Sequence, residues 1–203
     1  MMKVIGLTGG IGCGKSLVAN ILESKYGAYL LNTDAIAKAQ MEPGGASYQS
    51  VVEYFGGEIL AKDGTINRVK LAQIIFEDND KRLMINKLTH PKVLEEVIKE
   101  INIIREKENI PYVVTETALM IEAGYDFICD EVWYVYAPEE ERRTRLKKDR
   151  NYSDEKIDAI FENQSKEEEF RAKFTKVIEN VGSVTKIEHQ IQQLIEKLNQ
   201  DMK

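Results

Sequence analysis

The sequence predicts an α/β fold built around a central parallel sheet. The first observation is the order of segments at the start of the chain: a β-branched run at Lys3–Thr8, a glycine-rich turn, a stretch with helical spacing at 15–25, and a second apolar run at 28–31. A strand, a helix and a strand within about 30 residues form a βαβ unit, whose two strands are parallel. The second observation is that β-branched and aromatic runs return only after residue 111, so helices are predicted in between.

The middle of the chain, from about 34 to 111, carries helical patterns and no run that predicts a buried strand. A group of apolar residues at helical spacing stops at Gly56-Gly57, which predicts the end of a helix. Pro91 fits the first position of a later, long helix. The apolar stripe of that helix is Leu94, Val97, Ile98 and Ile101. A helical block inserted between strands predicts a subdomain beside the sheet.

The sheet resumes in the second half of the chain. Runs at 112–115 and 132–136 are β-branched and aromatic, and Pro138 opens a highly charged helix. A break at 151–153 separates it from further charged helical sequence, and 176–178 predicts a last edge strand. The final helix carries the apolar stripe Ile187, Ile191, Leu194, Ile195 and Leu198.

Composition and charge exclude several classes of protein. The chain has 203 residues, 43% of them hydrophobic, which is enough for one folded domain and argues against disorder. A net charge of −6 disfavours a dedicated nucleic-acid-binding protein. The two cysteines, Cys13 and Cys129, are too far apart in sequence for a disulfide framework or a cysteine zinc site, which favours a reduced, cytoplasmic compartment. No signal peptide or membrane span is predicted.

The glycine-rich turn carries the chemistry. Residues 9–16, GGIGCGKS, satisfy the pattern G-x-x-x-x-G-K-S/T between a predicted strand and a predicted helix. Glycines let backbone N–H groups wrap a polyphosphate, Lys15 reaches the β- and γ-phosphates, and the Ser16 hydroxyl can join a Mg²⁺ shell. The predicted nucleotide-binding residues are Gly10, Ile11, Gly12, Cys13, Gly14, Lys15, Ser16 and Leu17. The alternative is a turn that only joins strand to helix.

Two details of the loop favour simple interpretations. The thiol of Cys13 lies near a helix N-terminus, which can lower a thiol pKa and make it redox-sensitive, but a small side chain filling a variable position is the favoured interpretation. The nearest string to a guanine-recognition motif, Asn86-Lys87-Leu88-Thr89, lacks the final Asp and lies in helical sequence. A small-molecule kinase is therefore favoured over a GTPase.

Several segments together resemble the dephospho-CoA kinase family. They keep the order and spacing of the family across almost the whole chain, and they are 4–16 (VIGLTGGIGCGKS), 32–38, 42–44, 63–65, 75–76, 90–91 and 177–182. The resemblance implies one domain over 1–203 with the three-layer fold of P-loop NTPases. Its core is expected at about 1–33 and 112–203, a helical acceptor-binding subdomain at about 34–111, and a helical lid at about 139–170.

The resemblance also implies the reaction and its partners. Family members transfer the γ-phosphate of ATP to the 3′-hydroxyl of dephospho-CoA, the last step of coenzyme A biosynthesis, with ATP and Mg²⁺. No nucleic acid or membrane partner is implied, and a monomer or a weak homo-oligomer is expected. Two alternatives stay open: a P-loop kinase for another nucleoside-like alcohol, and a degenerate protein that binds nucleotide or CoA without turnover.

By the same resemblance, site residues are assigned position by position. The catalytic residues are Lys15, Asp34 and Arg145; the acceptor contacts are Thr8, Asp34, Lys38, His90 and Glu116; Asn180 and Gly182 lie near the adenine; Ser16 binds the metal. Arg145 belongs to a basic run at 142–150, the candidate lid.

Most of these residues have a second interpretation from the residues alone. Asp34 could be a helix N-cap, Lys38 a solvated helix face, and His90 a residue where a helix starts before Pro91. Glu116 could be a solvated charge at a strand end or a Mg²⁺ ligand through water, and the basic run at 142–150 could form pairs along one helix.

The chain also departs from the family pattern. Asn32 stands where the family has an acid, Lys38 where it has an arginine, and Ile160 where a later lid arginine is expected. Asp149 and Arg150 invert an Arg-Asp pair. These changes leave nucleotide binding intact and put lid chemistry and turnover in question.

Overall fold

The computed structural model describes residues 2–107, 109–121, 123–162, 164 and 166–200. Within them, five strands form one sheet: β1 (Lys3–Thr8), β2 (Tyr29–Leu31), β3 (Tyr112–Glu116), β4 (Glu131–Tyr136) and β5 (Lys176–Glu179). The strand order is β2-β3-β1-β4-β5, and every pairing is parallel. The predicted parallel sheet is confirmed, and so is the predicted last edge strand.

The helices account for the rest of the regular structure. In chain order they are α1 (Lys15–Tyr26), α2 (Thr33–Gln40), α3 (Tyr48–Phe55), α4 (Arg68–Glu77), α5 (Asn79–Arg105), α6 (Glu139–Arg150), α7 (Asp154–Glu162), α8 (Glu167–Lys173) and α9 (Val184–Gln200). Short 3₁₀ turns lie at Gly57–Ile59 and Tyr125–Ile128. Across the part of the chain that the structure describes, no helix is both long and apolar enough to cross a bilayer.

The chain divides into two compact units. The first comprises Met1–Leu31, Glu108–Ile121 and Tyr125–Lys203, and the second comprises Asn32–Lys107 with residues 122–124. Residue 108 of the expected acceptor subdomain and residues 163 and 165 of the expected lid lie outside the described residues.

The first unit holds the sheet and the larger core. β1 lies in the middle of the sheet and is buried from Val4 to Thr8, as expected for a parallel strand covered on both faces. Trp133 of β4 and Leu22 of α1 are fully buried in the same core. The predicted stripe of α9 is buried there too, which confirms the expected final helix.

The second unit has its own small core. Val51 and Phe55 of α3 pack with Ile59, Ile66, Leu71 of α4 and Ile85 of α5. Gly56, with φ of 81°, ends α3, and its N–H donates to the Val52 carbonyl oxygen. The predicted helix stop at this glycine pair is confirmed.

The prediction that Pro91 starts a helix is wrong. α5 has 27 residues and begins at Asn79, and Pro91 lies in its interior. The Asp78 carboxylate caps it by accepting from the backbone N–H groups of Asp80 and Lys81, at 3.0 and 3.1 Å. The buried face continues across the proline, through Ile85, Thr89, Val93, Val97, Ile101 and Ile104. Burial of this face therefore outweighs the missing N–H at Pro91.

Candidate active site

The sheet order defines where a ligand would bind. β1 pairs with β3 on one side and with β4 on the other, so β2 and β3 lie on one side of β1 and β4 and β5 lie on the other. In open parallel sheets, ligands bind outside the carboxyl ends of the strands at such a switch point. β1 ends at Thr8, and the glycine-rich loop begins with the next residue.

Glycine is required in this loop by backbone and by contact. Gly9, Gly12 and Gly14 have φ of 142°, 78° and 96°, values that side chains with a β-carbon rarely adopt. At Gly14 a β-carbon would also collide with Nδ2 of Asn180. The chain can therefore make this tight turn only with the glycines it has.

Lys15 and the start of α1 present positive charge at the loop. The Lys15 Nζ donates to the carbonyl oxygens of Gly9 and Gly10, at 2.9 and 3.4 Å. α1 begins at Lys15, and within the described residues no side chain caps its first N–H groups. A helix N-terminus with open amides and an adjacent ammonium forms an anion site.

Ser16 and Glu116 meet beside the loop. The Ser16 hydroxyl donates to Glu116 Oε1 at 2.9 Å, joining the start of α1 to the end of β3. They share a cleft of about 190 Å³. Its lining consists of Ile11, Gly12, Gly14, Lys15, Ser16, Glu116, Arg145, Leu146, Asp149 and Arg150. The structure therefore brings Lys15, Ser16, Glu116 and Arg145 together, as expected for a site built from these residues.

The oxygen pair of Ser16 and Glu116 suits Mg²⁺. Magnesium keeps several waters and needs only one or two protein oxygens besides substrate phosphates. Within the described residues there is no cluster of three or more His, Cys, Asp and Glu side chains that could hold a metal by itself. A hydroxyl and a carboxylate 2.9 Å apart at a phosphate-binding loop fit that smaller requirement.

Arg145 and Asn180 fix the loop from outside. Arg145 Nη1 donates to the carbonyls of Gly12 and Cys13 at 3.3 and 3.4 Å, and its Nη2 donates to Glu141 and to the Asn180 carbonyl. Asn180 is 5% exposed, and its Nδ2 donates to the Cys13 carbonyl at 2.6 Å. Gly182, with φ of 89°, lies two residues further on.

The Cys13 side chain fills space inside the loop. Its thiol is buried, and this burial raises its pKa even though the nearby Lys15 charge acts in the opposite direction. A protonated, buried thiol is a poor nucleophile and a poor target of oxidants. The interpretation of Cys13 as a small filling side chain is therefore favoured over a redox role.

Two loop contacts could not be found from the sequence. Gln164 Oε1 accepts from the Ile11 N–H at 3.1 Å, across 153 positions of the chain. Arg142 lies against Gly10, and its guanidinium stacks on the Phe161 ring at 4.2 Å. Arg142 could be named only as a member of the basic run, and no local signal marks Gln164.

The remaining predicted residues have simpler surroundings. Thr8 is fully buried at the end of β1, and its hydroxyl has no hydrogen-bond partner among the described residues. In the second unit, Asp34 and Lys38 are exposed on α2, and Arg68 donates to the Lys38 carbonyl at 3.3 Å.

Two of the alternative interpretations are wrong. Asp34 does not cap its helix, because the Asn32 side chain does so by accepting from the Ala35 N–H at 2.8 Å. His90 does not start a helix, because it lies inside α5. The amide at Asn32 thus has a structural task, and Asp34 is left available for another one.

The fold and the loop together define a P-loop NTPase fold. A shikimate kinase from Acinetobacter baumannii, solved with shikimate, shares this fold with a TM-score of 0.56 at 16% identity, covering 99% of this chain and 95% of that one. The parallel sheet with its phosphate loop between β1 and α1 is the architecture of that class.

Sequence and structure then identify the family. The dephospho-CoA kinase family model matches residues 3–186. A dephospho-CoA kinase from Carboxydothermus hydrogenoformans is 38% identical over 197 residues, 97% of this chain and 95% of the relative. The crystal structure of TT1252 from Thermus thermophilus superposes with a TM-score of 0.80 at 30% identity, covering 97% of this chain and 98% of that one. The chain belongs to the dephospho-CoA kinase family.

Proposed function

We propose that this chain transfers the γ-phosphate of ATP to the 3′-hydroxyl of dephospho-CoA and so completes coenzyme A. The observation that carries the proposal is the loop of residues 9–16, where Lys15 lies over the loop carbonyls and Ser16 meets Glu116, in a chain that the family model matches from residue 3 to 186. These are the parts that phosphoryl transfer needs: a polyphosphate cradle, a cation and metal-binding oxygens.

On the nucleotide side, the loop binds the phosphates. Residues 10–17, with the Lys15 ammonium, contact the β- and γ-phosphates, and Asn180 and Gly182 lie on the adenine side. Ser16 and Glu116 would hold Mg²⁺, which would supply positive charge to stabilise the nucleotide phosphates. Arg145 keeps the loop in shape through the Gly12 and Cys13 carbonyls and contributes positive charge to the cleft.

On the acceptor side, Asp34 is the proposed general base. The oxygen of the 3′-hydroxyl forms a bond to the γ-phosphorus, the bond from that phosphorus to the β,γ-bridging oxygen breaks, and the proton passes to the Asp34 carboxylate as ADP leaves. Lys38 pairs with a phosphate of the acceptor, and His90 and Thr8 contribute further acceptor contacts.

The proposal is tested with purified protein, Mg²⁺-ATP and dephospho-CoA, scored for CoA and ADP. Lys15→Ala and Asp34→Ala are each expected to lower kcat by about 100-fold or more, because each removes a group that acts at the reacting phosphate or hydroxyl. Lys62→Ala is the matched control for Lys15→Ala and Glu77→Ala the one for Asp34→Ala, since each removes an exposed charge of the same sign away from the loop.

Each failure has its own meaning. Formation of ADP only with another alcohol would transfer the proposal to a different acceptor, and tight nucleotide binding without transfer to any acceptor would indicate a binding protein. Near-normal kcat in Asp34→Ala would remove this carboxylate from the base role.

A further inference from the structure

Three arginines near the start of α6 have different partners. Arg143 is fully used in ion pairs with acids, at 3.1 Å to Asp154 and 2.5 Å to Asp158. Arg145 pairs with Glu141 at 2.7 Å, and its Nη1 donates to the Gly12 carbonyl of the loop. Within the described residues, Arg142 has no carboxylate partner, and its buried Nε has no hydrogen-bond acceptor. Of these three arginines, Arg142 is therefore the one whose charge no described carboxylate compensates.

This uncompensated charge lies at one particular end of the phosphate loop. A β-carbon built on Gly10 would stand 2.5 Å from Arg142 Nη1 and 2.8 Å from its Cζ, so the guanidinium lies directly against residue 10 and would have to move if that residue had a side chain. The Lys15 ammonium, which serves the β- and γ-phosphates, donates to the carbonyls of Gly9 and Gly10. Lys15 and Arg142 thus approach the loop at the same residue.

The orientation of the guanidinium is fixed from the far side. The Phe161 ring lies 4.2 Å from Arg142 Cζ, so the aromatic face covers one side of the planar group. Gln164 Oε1 accepts from the N–H of the neighbouring Ile11, and it lies 3.2 Å from the β-carbon built on Gly10. A planar, stacked cation with free donors is preorganised to bind phosphate oxygens in a fork.

We propose that Arg142 is a catalytic residue that donates hydrogen bonds to the equatorial oxygens of the transferred phosphoryl group. The proposal rests on the proposed kinase function. Arg142 forms no covalent bond and gives up no proton in the step described above. It stabilises the charge that collects on those oxygens while the bond to the bridging oxygen breaks. It would also distinguish ATP from ADP, because only ATP carries the γ-phosphate.

The test compares Arg142→Ala and Arg142→Lys with the wild type. Equilibrium binding of ATP and of ADP is measured without acceptor, and kcat is measured with dephospho-CoA. In Arg142→Ala we expect kcat to fall by about 100-fold or more, and ATP affinity to fall about tenfold while ADP affinity changes less than about twofold. Arg142→Lys keeps the charge but loses the fork and is expected to lie between the two.

Arg143→Ala is the matched control, because it removes the same charge from the same helix. Its loss of three acid partners is expected to lower thermal stability and to leave the ratio of ATP to ADP affinity unchanged. If Arg142→Ala does not fold, Arg142→Lys decides: a drop in kcat of about tenfold at unchanged melting temperature supports the proposal.

The outcomes separate this proposal from the proposed function. A wild type that makes CoA, with unchanged kcat and ATP-to-ADP affinity ratio in folded Arg142 variants, overturns the role of Arg142. If the wild type makes no CoA but prefers ATP to ADP, and Arg142→Ala loses that preference, the acceptor assignment is overturned and the contact of Arg142 with the terminal phosphate is supported.

Discussion

At the scale of single residues, the site depends on glycines that leave room for the side chains of other residues. Gly10 and Gly14 have no β-carbon, and the space goes to the Arg142 guanidinium and to the Asn180 amide. Both of these groups come from parts of the chain far from the loop. Alanine at Gly14 would displace the Asn180 amide, which donates to the Cys13 carbonyl, and would strain the backbone, whose φ is 96° there. Alanine at Gly10 would move the end of the Arg142 side chain away from the loop.

Cys129 allows a prediction about pH at this scale. Its thiol donates to the Tyr125 carbonyl at 3.2 Å, and burial, reinforced by the Asp126 and Asp130 charges, raises its pKa from 9.0 to about 12. The folded state holds this proton more tightly than the unfolded state does. The resulting stabilisation is complete below about pH 9 and is lost as the pH rises toward 12.

The measurement is urea unfolding of wild type and Cys129→Ala at several alkaline pH values. We expect the difference in free energy of unfolding between them to shrink by up to about 1.4 kcal/mol for each pH unit above the thiol pKa of the unfolded chain. Other alkaline groups titrate equally in both proteins and cancel. A difference that stays constant with pH would contradict the raised pKa of Cys129.

At the scale of elements, α5 shows what local signals miss. Proline is favoured in the first turn of a helix, and that preference led to the wrong start at Pro91. The real start carries an equally local signal, the side-chain cap of Asp78, which lies directly before Asn79. The helix passes through the proline because its buried face is continuous on both sides.

Pro91→Ala is the corresponding prediction. Alanine restores an N–H to the helix interior and removes the clash of the ring with the preceding turn. It also makes the unfolded chain more flexible, which offsets part of the gain. We expect the free energy of unfolding to rise by about 1 kcal/mol or more, measured by urea denaturation. A loss of stability would show that the backbone of α5 is already adapted to the proline.

Other elements could be predicted because their signals are local. The strand, loop and helix at residues 3–26 follow from periodicity and from a motif of eight residues. The contact between Gln164 and Ile11 spans 153 positions and depends on how α6 and α7 pack, which no local pattern specifies. The capping role considered for Asp34 was likewise excluded by its neighbour Asn32, whose capping bond is visible only in the structure.

At the scale of the whole molecule, charge is distributed unevenly. The chain carries a net charge of −6, yet Lys15, Arg142 and Arg145 all lie against one loop. Such a local concentration of positive charge attracts a polyanion even to an acidic protein. An acidic net charge is therefore compatible with a site for a polyphosphate.

Nucleotide binding should therefore stabilise the first unit. Trp133 is the single tryptophan and is fully buried in the sheet, so its fluorescence reports unfolding of that unit. At about 100 times its Kd, ADP is expected to add about 2.7 kcal/mol to the free energy of unfolding. Lys15→Ala should abolish most of this shift. An unchanged Trp133 transition in saturating ADP would contradict binding at the loop.

The path of the chain through the sheet has a consequence for folding and for change over evolution. The polypeptide leaves the sheet after Leu31 and returns at Tyr112, yet Leu31 and Thr115 are paired neighbours in it. Strands β2 and β3 can meet only after an excursion of about 80 residues closes, and this closure costs less entropy once the excursion has collapsed on its own core. Because the excursion begins and ends at adjacent strands, insertions and deletions within it leave the register of the sheet and the phosphate loop untouched. The inserted segment can thus diversify in sequence while the phosphate loop is inherited intact.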